Sequence, residues 1–255
     1  MNENDLYDDA ELYDDAELYD AQYRWYRDDL AFYRDLALDR PGAVLEIGAG
    51  TGRVTVELAR LAERVVALEP SEAMRAAAAA RLDEAGVAGR VELRDQDARE
   101  LAEDGGFALV VAPFHVLMHF VTLDDQDAVL RGARSALDPG GAFACDLFVP
   151  RFGPDDVLRR ETTWRDAAGR DAELWTVQHH HAAQQRIESL YLVDRVGSDG
   201  IVRRSRRTLV QRYFHRYELE RAVRSAGFPD VRLFGDFDRR PLDDDAARYV
   251  VLATI

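Results

Sequence analysis

The stretch VLEIGAGTGRV, residues 44–54, decides how the rest of the chain is read. A short apolar run carries Glu46 near its end, and Gly48, Gly50 and Gly52 then alternate before residues of helical character. An apolar run of this length bounded by glycines predicts a parallel strand buried on both faces. Glycine is needed where φ must be positive, or where a ligand comes so close to the backbone that a Cβ would collide. Such a turn also presents backbone N–H groups at the start of a helix.

Working outward, the same alternation continues. Helical residues 53–63 lead to a second buried strand, RVVALE (64–69), and Ser71 is placed to cap an Ala-rich helix that ends near Gly86. RVELR (90–94) and FALVVA (107–112) read as the next strands. A helix over 125–137 stops at Asp138-Pro139-Gly140-Gly141, before the strand AFACDLFV (142–149). Strands alternating with helices at this spacing predict a doubly wound α/β sheet, mostly parallel. Upstream, QYRWYRDDLAFYRDLAL (22–38) reads as one helix ended by Pro41-Gly42.

Beyond residue 150 the period changes. ELWTVQHHHA, RIESLYLVDRV and IVRRSRRTLVQRYF predict three antiparallel strands separated by Ala183-Gln184-Gln185 and Gly197-Ser198-Asp199-Gly200. Arg216 to Ala226 returns to helix, and VRLFGDF (231–237) with RYVVLATI (248–255) closes a seven-stranded sheet. The expected organisation is an acidic repeat and lid helix over 1–40, a core over 41–150, a β insert over 151–214, and a completing helix and strand pair over 215–255.

Composition narrows the chemistry. The 255 residues are 47% hydrophobic, which suits a globular chain with a sizeable core. A net charge of −15 makes a nucleic-acid partner unexpected. Every basic residue is arginine, so no lysine Schiff base is available, and Cys145 is the only cysteine. Neither a signal peptide nor a membrane span is legible, which predicts a soluble cytoplasmic chain, monomeric or homodimeric.

Two ligand classes use glycine turns of the 48–52 kind. In the dinucleotide pattern G-x-G-x-x-G the third glycine would fall on Arg53. The pattern present, E-x-G-x-G-x-G, resembles the first motif of the class I S-adenosylmethionine-dependent methyltransferases. The resemblance continues with Glu69-Pro70 after the second strand, Asp97-Ala98 in RDQDARE, APFHVLMHF (112–120) and LDPGGAF. It covers about 42–150. RYFHRYELERAVRSAGF (212–228) is further similar to a bacterial subgroup that acts on small molecules and carries an antiparallel insert over its active site.

The resemblance implies a Rossmann-like fold, S-adenosylmethionine as cofactor, and methyl transfer to nitrogen or oxygen of a small metabolite, with a sugar amine or planar heterocycle favoured. It implies a cofactor site from Glu46, Gly48, Ala49, Gly50, Gly52, Arg53, Glu69, Pro70, Asp97, Ala98 and Pro113. Glu69 would accept hydrogen bonds from the ribose diol and Asp97 from the adenine amino group. The hexad repeat LYDDAELYDDAELYD (6–20) puts Leu6, Leu12 and Leu18 on different sides of a helix, so it builds no single stripe. Its last copy, Tyr19-Asp20, with Tyr23, fits the subgroup's segment that folds over the cofactor; the earlier copies read as a duplication.

His115 is the candidate base, since an imidazole there can take a proton near neutral pH, and positioning the substrate is its other possible role. His119, Arg212, Tyr213, Arg216 and Tyr217 are candidate substrate contacts. No metal is expected. His179, His180 and His181 alternate faces in a strand, so at most two share a site. Arg203, Arg204, Arg206 and Arg207 pair with acidic surface or receive an acidic substrate group, and Trp164 and Trp175 serve either core or substrate. The competing functions are an NAD(P)-dependent oxidoreductase and a non-catalytic module that only binds the cofactor.

Overall fold

The structure is a computed structural model that describes residues 16–23, 25–166 and 168–255. The first copy of the hexad repeat and the first four residues of the second lie outside the described residues. The chain divides into two compact units, one of residues up to Tyr26 with Arg151–Arg212, the other of Arg27–Pro150 with Tyr213–Ile255.

The larger unit holds the seven-stranded sheet. Its strands are β1 (Ala43–Ile47), β2 (Arg64–Leu68), β3 (Val91–Arg94), β4 (Phe107–Ala112), β5 (Leu137–Phe148), β10 (Asp230–Phe234) and β11 (Arg248–Thr254). They lie in the order β3-β2-β1-β4-β5-β11-β10, with β11 antiparallel to both its neighbours. Four residues of β1 and five of β4 are buried, as the apolar runs predict for strands covered on both faces. The chain runs outward through β1, β2 and β3, then returns to place β4 beside β1. That reversal places the switch point beyond the carboxyl ends of β1 and β4, where sheets of this kind take their ligands.

The helices are held by local chemistry. The helix α4 (Glu72–Glu84) starts at Ser71, whose hydroxyl accepts from the Met74 N–H at 3.3 Å. Thr122 does the same for α5 (Leu123–Ser135), accepting from the Asp125 N–H at 3.1 Å. Between β1 and β2, α3 (Arg53–Ala59) begins after Gly52, at φ 81°, and buries Val54, Val56 and Leu58. α6 (Arg216–Ser225) buries Leu219 and Val223 and follows the antiparallel insert.

Three expectations need correction. The single helix over 22–38 is two helices, α1 (Ala16–Tyr23) and α2 (Leu30–Asp39). Between them Tyr26 N–H donates to Tyr23 and Leu30 N–H to Arg27, closures three residues back rather than four. The break turns Asp29 inward onto Arg53, with two contacts at 2.5 and 2.7 Å. A charge-assisted bidentate pair outweighs one helical hydrogen bond. Second, Asp138–Gly141 does not separate α5 from a strand starting at 142. β5 begins at Leu137, and a bulge takes up the extra residues: Phe107 pairs with Leu137 and Leu109 with Ala142.

Third, the insert has four strands. β6 (Arg159–Arg165), β7 (Asp171–His181), β8 (Arg186–Val196) and β9 (Val202–Arg212) form an antiparallel sheet in that order. The missed strand, RRETTWR, is an exposed and highly charged edge, which is how edges avoid pairing with other chains. Leu18 of α1 packs on Leu174, Val193, Trp164 and Tyr191 of this sheet. Among the described residues no helix is long and apolar enough to cross a membrane.

Candidate active site

The turn after β1 shows why it is built from glycine. Gly48, Gly50 and Gly52 have φ of 73°, 55° and 81°, the left-handed region that costs other residues strain. A Cβ on Gly48 would stand 2.5 Å from Cγ2 of Val116, in the segment after β4. A Cβ on Gly52 would meet the Ala78 backbone of α4 at 3.2 Å. The glycines therefore let the two loops at the switch point, and the two flanking helices, approach each other.

The expected free N–H groups are largely spent. Gly48 and Ala49 both donate to the Leu68 carbonyl, Gly52 donates to Ala49, and Gly50 donates to Glu69 Oε2 at 2.9 Å. Ser71 N–H donates to Glu69 Oε1 at 2.9 Å. Burial raises the Glu69 carboxyl, and these two N–H groups with Arg75 pull it back. Each oxygen accepts one hydrogen bond from the protein and keeps capacity for another, as a vicinal diol requires.

Glu46 is 1% exposed, and its Oε2 has no hydrogen-bond partner among the described residues. Burial pushes its carboxyl up to about 8, with Thr55 and Arg53 opposing. A carboxyl raised this way favours the fold when protonated, so its contribution is whole below the unfolded pKa, about 4.3. It is lost as pH climbs through about 8. Glu46→Gln, neutral at every pH, is expected to flatten this dependence. Its melting temperature relative to wild type rises between pH 5 and pH 9, which thermal melts across that range would test. A constant difference would remove Glu46 as the titrating group.

Asp97 caps the turn 98–100. Its Oδ1 accepts from the Arg99 N–H at 2.8 Å, and the Arg99 guanidinium bridges both oxygens at 2.6 to 3.0 Å. Partial burial would raise the carboxyl, but Arg99 outweighs it and holds Asp97 below its ordinary value. The Arg99 guanidinium on these oxygens is half exposed. Ala98 and Pro113 are buried nearby in sequence, whereas Pro70 is exposed.

After β4, Phe114 and His115 both adopt left-handed φ, 57° and 66°. Two such residues in a row are strained and persist because other contacts fix them. Phe114 N–H donates to Asp146 Oδ1 at 2.8 Å, and His115 N–H to the Asp146 carbonyl at 3.1 Å. The Tyr33 hydroxyl donates to the same Oδ1 at 2.6 Å. The His115 ring stacks on Phe114 and meets Phe148 edge-on. Burial lowers its pKa to about 4, so the ring is neutral at pH 7 and its protonated form is disfavoured until an opposing charge is engaged. His119 ends the following turn, Val116–His119, and is lowered to about 4 by burial and by His115.

Other expected site residues are more scattered. In the smaller unit, the Tyr19 and Tyr23 rings are 5.1 Å apart and Tyr23 hydrogen-bonds to Tyr191. Arg212 is buried and donates to Gln185 Oε1 at 3.3 Å. In the larger unit Tyr213 is buried, whereas Tyr217 is 69% exposed with Arg216 over its ring. The register puts Trp164 opposite Ala172, on the sheet face covered by Leu18, and Trp175 on the other face. His179 and His181 share a face, with rings 4.7 Å apart, while His180 packs on Phe152 and contacts Asp155. Arg203 and Arg204 are paired with Asp199 and Asp194, as the acidic-surface reading expected.

Sequence reasoning missed Asp29, Tyr33 and Asp146. The available signals were weak: an acid in the middle of a helical pattern, and an acid inside the apolar run AFACDLFV.

Residues 44–141 match the methyltransferase-domain family. The fold of the chain is shared with solved structures of methyltransferases. The chain is 32% identical over 155 residues to a cypemycin N-terminal methyltransferase of a Streptomyces species, spanning 59% of each chain. Among solved structures it resembles the CcbJ methyltransferase from Streptomyces caelestis, at 26% identity and TM-score 0.76, over 94% of this chain and 96% of that one. CalS10, an amino pentose methyltransferase from Micromonospora echinaspora, shares the fold at 20% identity and TM-score 0.72, over 93% and 96%.

Proposed function

We propose that the chain transfers a methyl group from S-adenosylmethionine to a nitrogen or oxygen of a small metabolite, a sugar amine or planar heterocycle being favoured. The observation that carries this reading is the character of the site after β1. Its turn N–H groups are already donated, its third dinucleotide glycine is Arg53, bound to Asp29, and it is walled by Glu46 and Glu69. Glu69 there disfavours a pyrophosphate, and the buried Glu46, held neutral, offers no cation to attract one.

The residues fit S-adenosylmethionine: Glu69 has acceptor capacity for a diol, and the buried Glu46 has an unpartnered oxygen among the described residues. Glu69 would hold the ribose and Asp97, with Ala98 N–H, the adenine. Gly48, Ala49, Gly50, Gly52, Arg53, Pro70 and Pro113 would frame the site, and Glu46 would offer its buried carboxyl. Tyr19 and Tyr23 would cap it, a role that rests on the sequence resemblance. S-adenosylmethionine, when bound, supplies an activated methyl group on sulfur. The protein then has to align the acceptor, exclude water and take a proton where the acceptor must lose one. His115 is assigned that proton, and His119, Arg212, Tyr213, Arg216 and Tyr217 the placement of the acceptor.

Calorimetry with S-adenosylmethionine and S-adenosylhomocysteine, against NAD(H) and NADP(H), separates the readings. Heat with the sulfur nucleosides alone is expected. Heat with a nicotinamide dinucleotide alone would overturn the proposal in favour of an oxidoreductase. Binding with no label transferred from S-adenosylmethionine to any component of a metabolite extract would leave a sensor.

A further inference from the structure

We propose that Asp146 is a positioning residue for His115, holding its imidazole as the Nδ1–H tautomer so that Nε2 is left bare to accept the proton. This rests on the reading of His115 as the base. Two buried polar atoms in the larger unit have no hydrogen-bond partner among the described residues and face each other: His115 Nδ1 and Asp146 Oδ2, 3.6 Å apart. That is just outside hydrogen-bond range, and the Asp146 carbonyl, a second hydrogen-bonding neighbour, also favours a hydrogen on the ring. Asp146 is 0% exposed on β5. Its Oδ1 is taken by Tyr33 Oη and the Phe114 N–H, so the carboxylate plane is fixed and Oδ2 is the oxygen left over.

A buried orphan acceptor opposite a buried ring nitrogen selects the tautomer in which that nitrogen carries the hydrogen. The same residue secures the strained backbone, through the Phe114 and His115 N–H groups. Asp146 thus fixes both the peptide and the ring of the base. The 25% of the His115 side chain that stays exposed lies away from the buried Nδ1. The charged and titratable groups facing this pair are Arg248 of β11, Asp29 and Arg53, Tyr33 of α2 and His119.

In turnover the acceptor's lone pair bonds to the methyl carbon, and the carbon–sulfur pair stays with sulfur. The acceptor's proton passes to His115 Nε2. The resulting imidazolium keeps Nδ1–H on Asp146, whose charge stabilises it, and later releases the Nε2 proton to solvent.

The test is nitrogen NMR of protein labelled with 15N-histidine and saturated with S-adenosylhomocysteine, at neutral pH. His115 is expected as the Nδ1–H tautomer. In Asp146→Asn an amide N–H faces Nδ1, so the protonated and bare 15N shifts should exchange between the two nitrogens. Tyr33→Phe keeps the carboxylate but leaves its Oδ1 with the Phe114 N–H alone, so the carboxylate plane loosens and the Nδ1–H population should fall. An Nε2–H tautomer in the wild type, or an unchanged spectrum in both variants, would overturn the assignment. Failure of the base reading is separate: it would show as undiminished methyl transfer to a metabolite extract by His115→Ala.

Discussion

Gly48→Ala is expected to cost about 2–4 kcal/mol of stability and to weaken S-adenosylhomocysteine binding at least about tenfold. Two terms add. The residue sits at φ 73°, where a Cβ costs about 1–2 kcal/mol. The new atom would also lie 2.5 Å from Val116 Cγ2, and valine branches at Cβ, so it cannot swing a long chain aside. Relief has to come from the backbone after β4, the segment that carries His115. A shift there moves both loops at the switch point, so affinity falls along with stability. In a domain of this size the melting temperature should drop by roughly 5–15 °C. The double variant with Val116→Ala removes the clash but not the torsional cost. It should recover part of the stability in thermal melts. Full recovery, or none, would show that one of the two terms is absent.

Arg53→Met is expected to destabilise by about 3–5 kcal/mol, because it strands a buried charge. Asp29 is 0% exposed, and Arg53 contacts both its oxygens. Even so paired, burial outweighs the guanidinium and leaves the Asp29 carboxyl above its ordinary value. Removing Arg53 raises it further. A raised carboxyl is tolerated when protonated, so the deficit is smallest below the unfolded pKa of about 3.9 and grows as pH rises through the folded value. Urea melts at pH 5 and pH 8 should therefore show a larger loss at pH 8. Asp29→Asn in the same chain should restore most of it. A deficit independent of pH would mean that packing of the arginine stem, not the charge, was lost. Asp29 also sits at the break between α1 and α2, so the variant probes whether this pair shapes the segment.

Much of the architecture was legible because its signals are local. Strand β1 announces itself by apolar residues between glycines, and Ser71 announces a helix because its hydroxyl meets an N–H three residues on. Glu69 was legible too, since the end of a buried strand fixes where its side chain emerges. The edge strand β6 was not, because an exposed edge carries no alternation to read. Nor was the break at 25–29, where Asp29 pairs with Arg53, 24 residues away.

The sequence by itself determined the strands of the seven-stranded sheet and their chain order, the glycine turn and the carboxylate at the end of β2. All of these follow from backbone preference and burial within a dozen residues. Only the tertiary structure decided that Asp146 meets Tyr33, 113 positions away, and turns Oδ2 toward His115. It also decided that Asp29 is paired while Glu46 Oε2 has no partner among the described residues. The reason is physical: the charge state and the partner of a buried group depend on which distant chain segments exclude water from it, and packing alone assembles those segments.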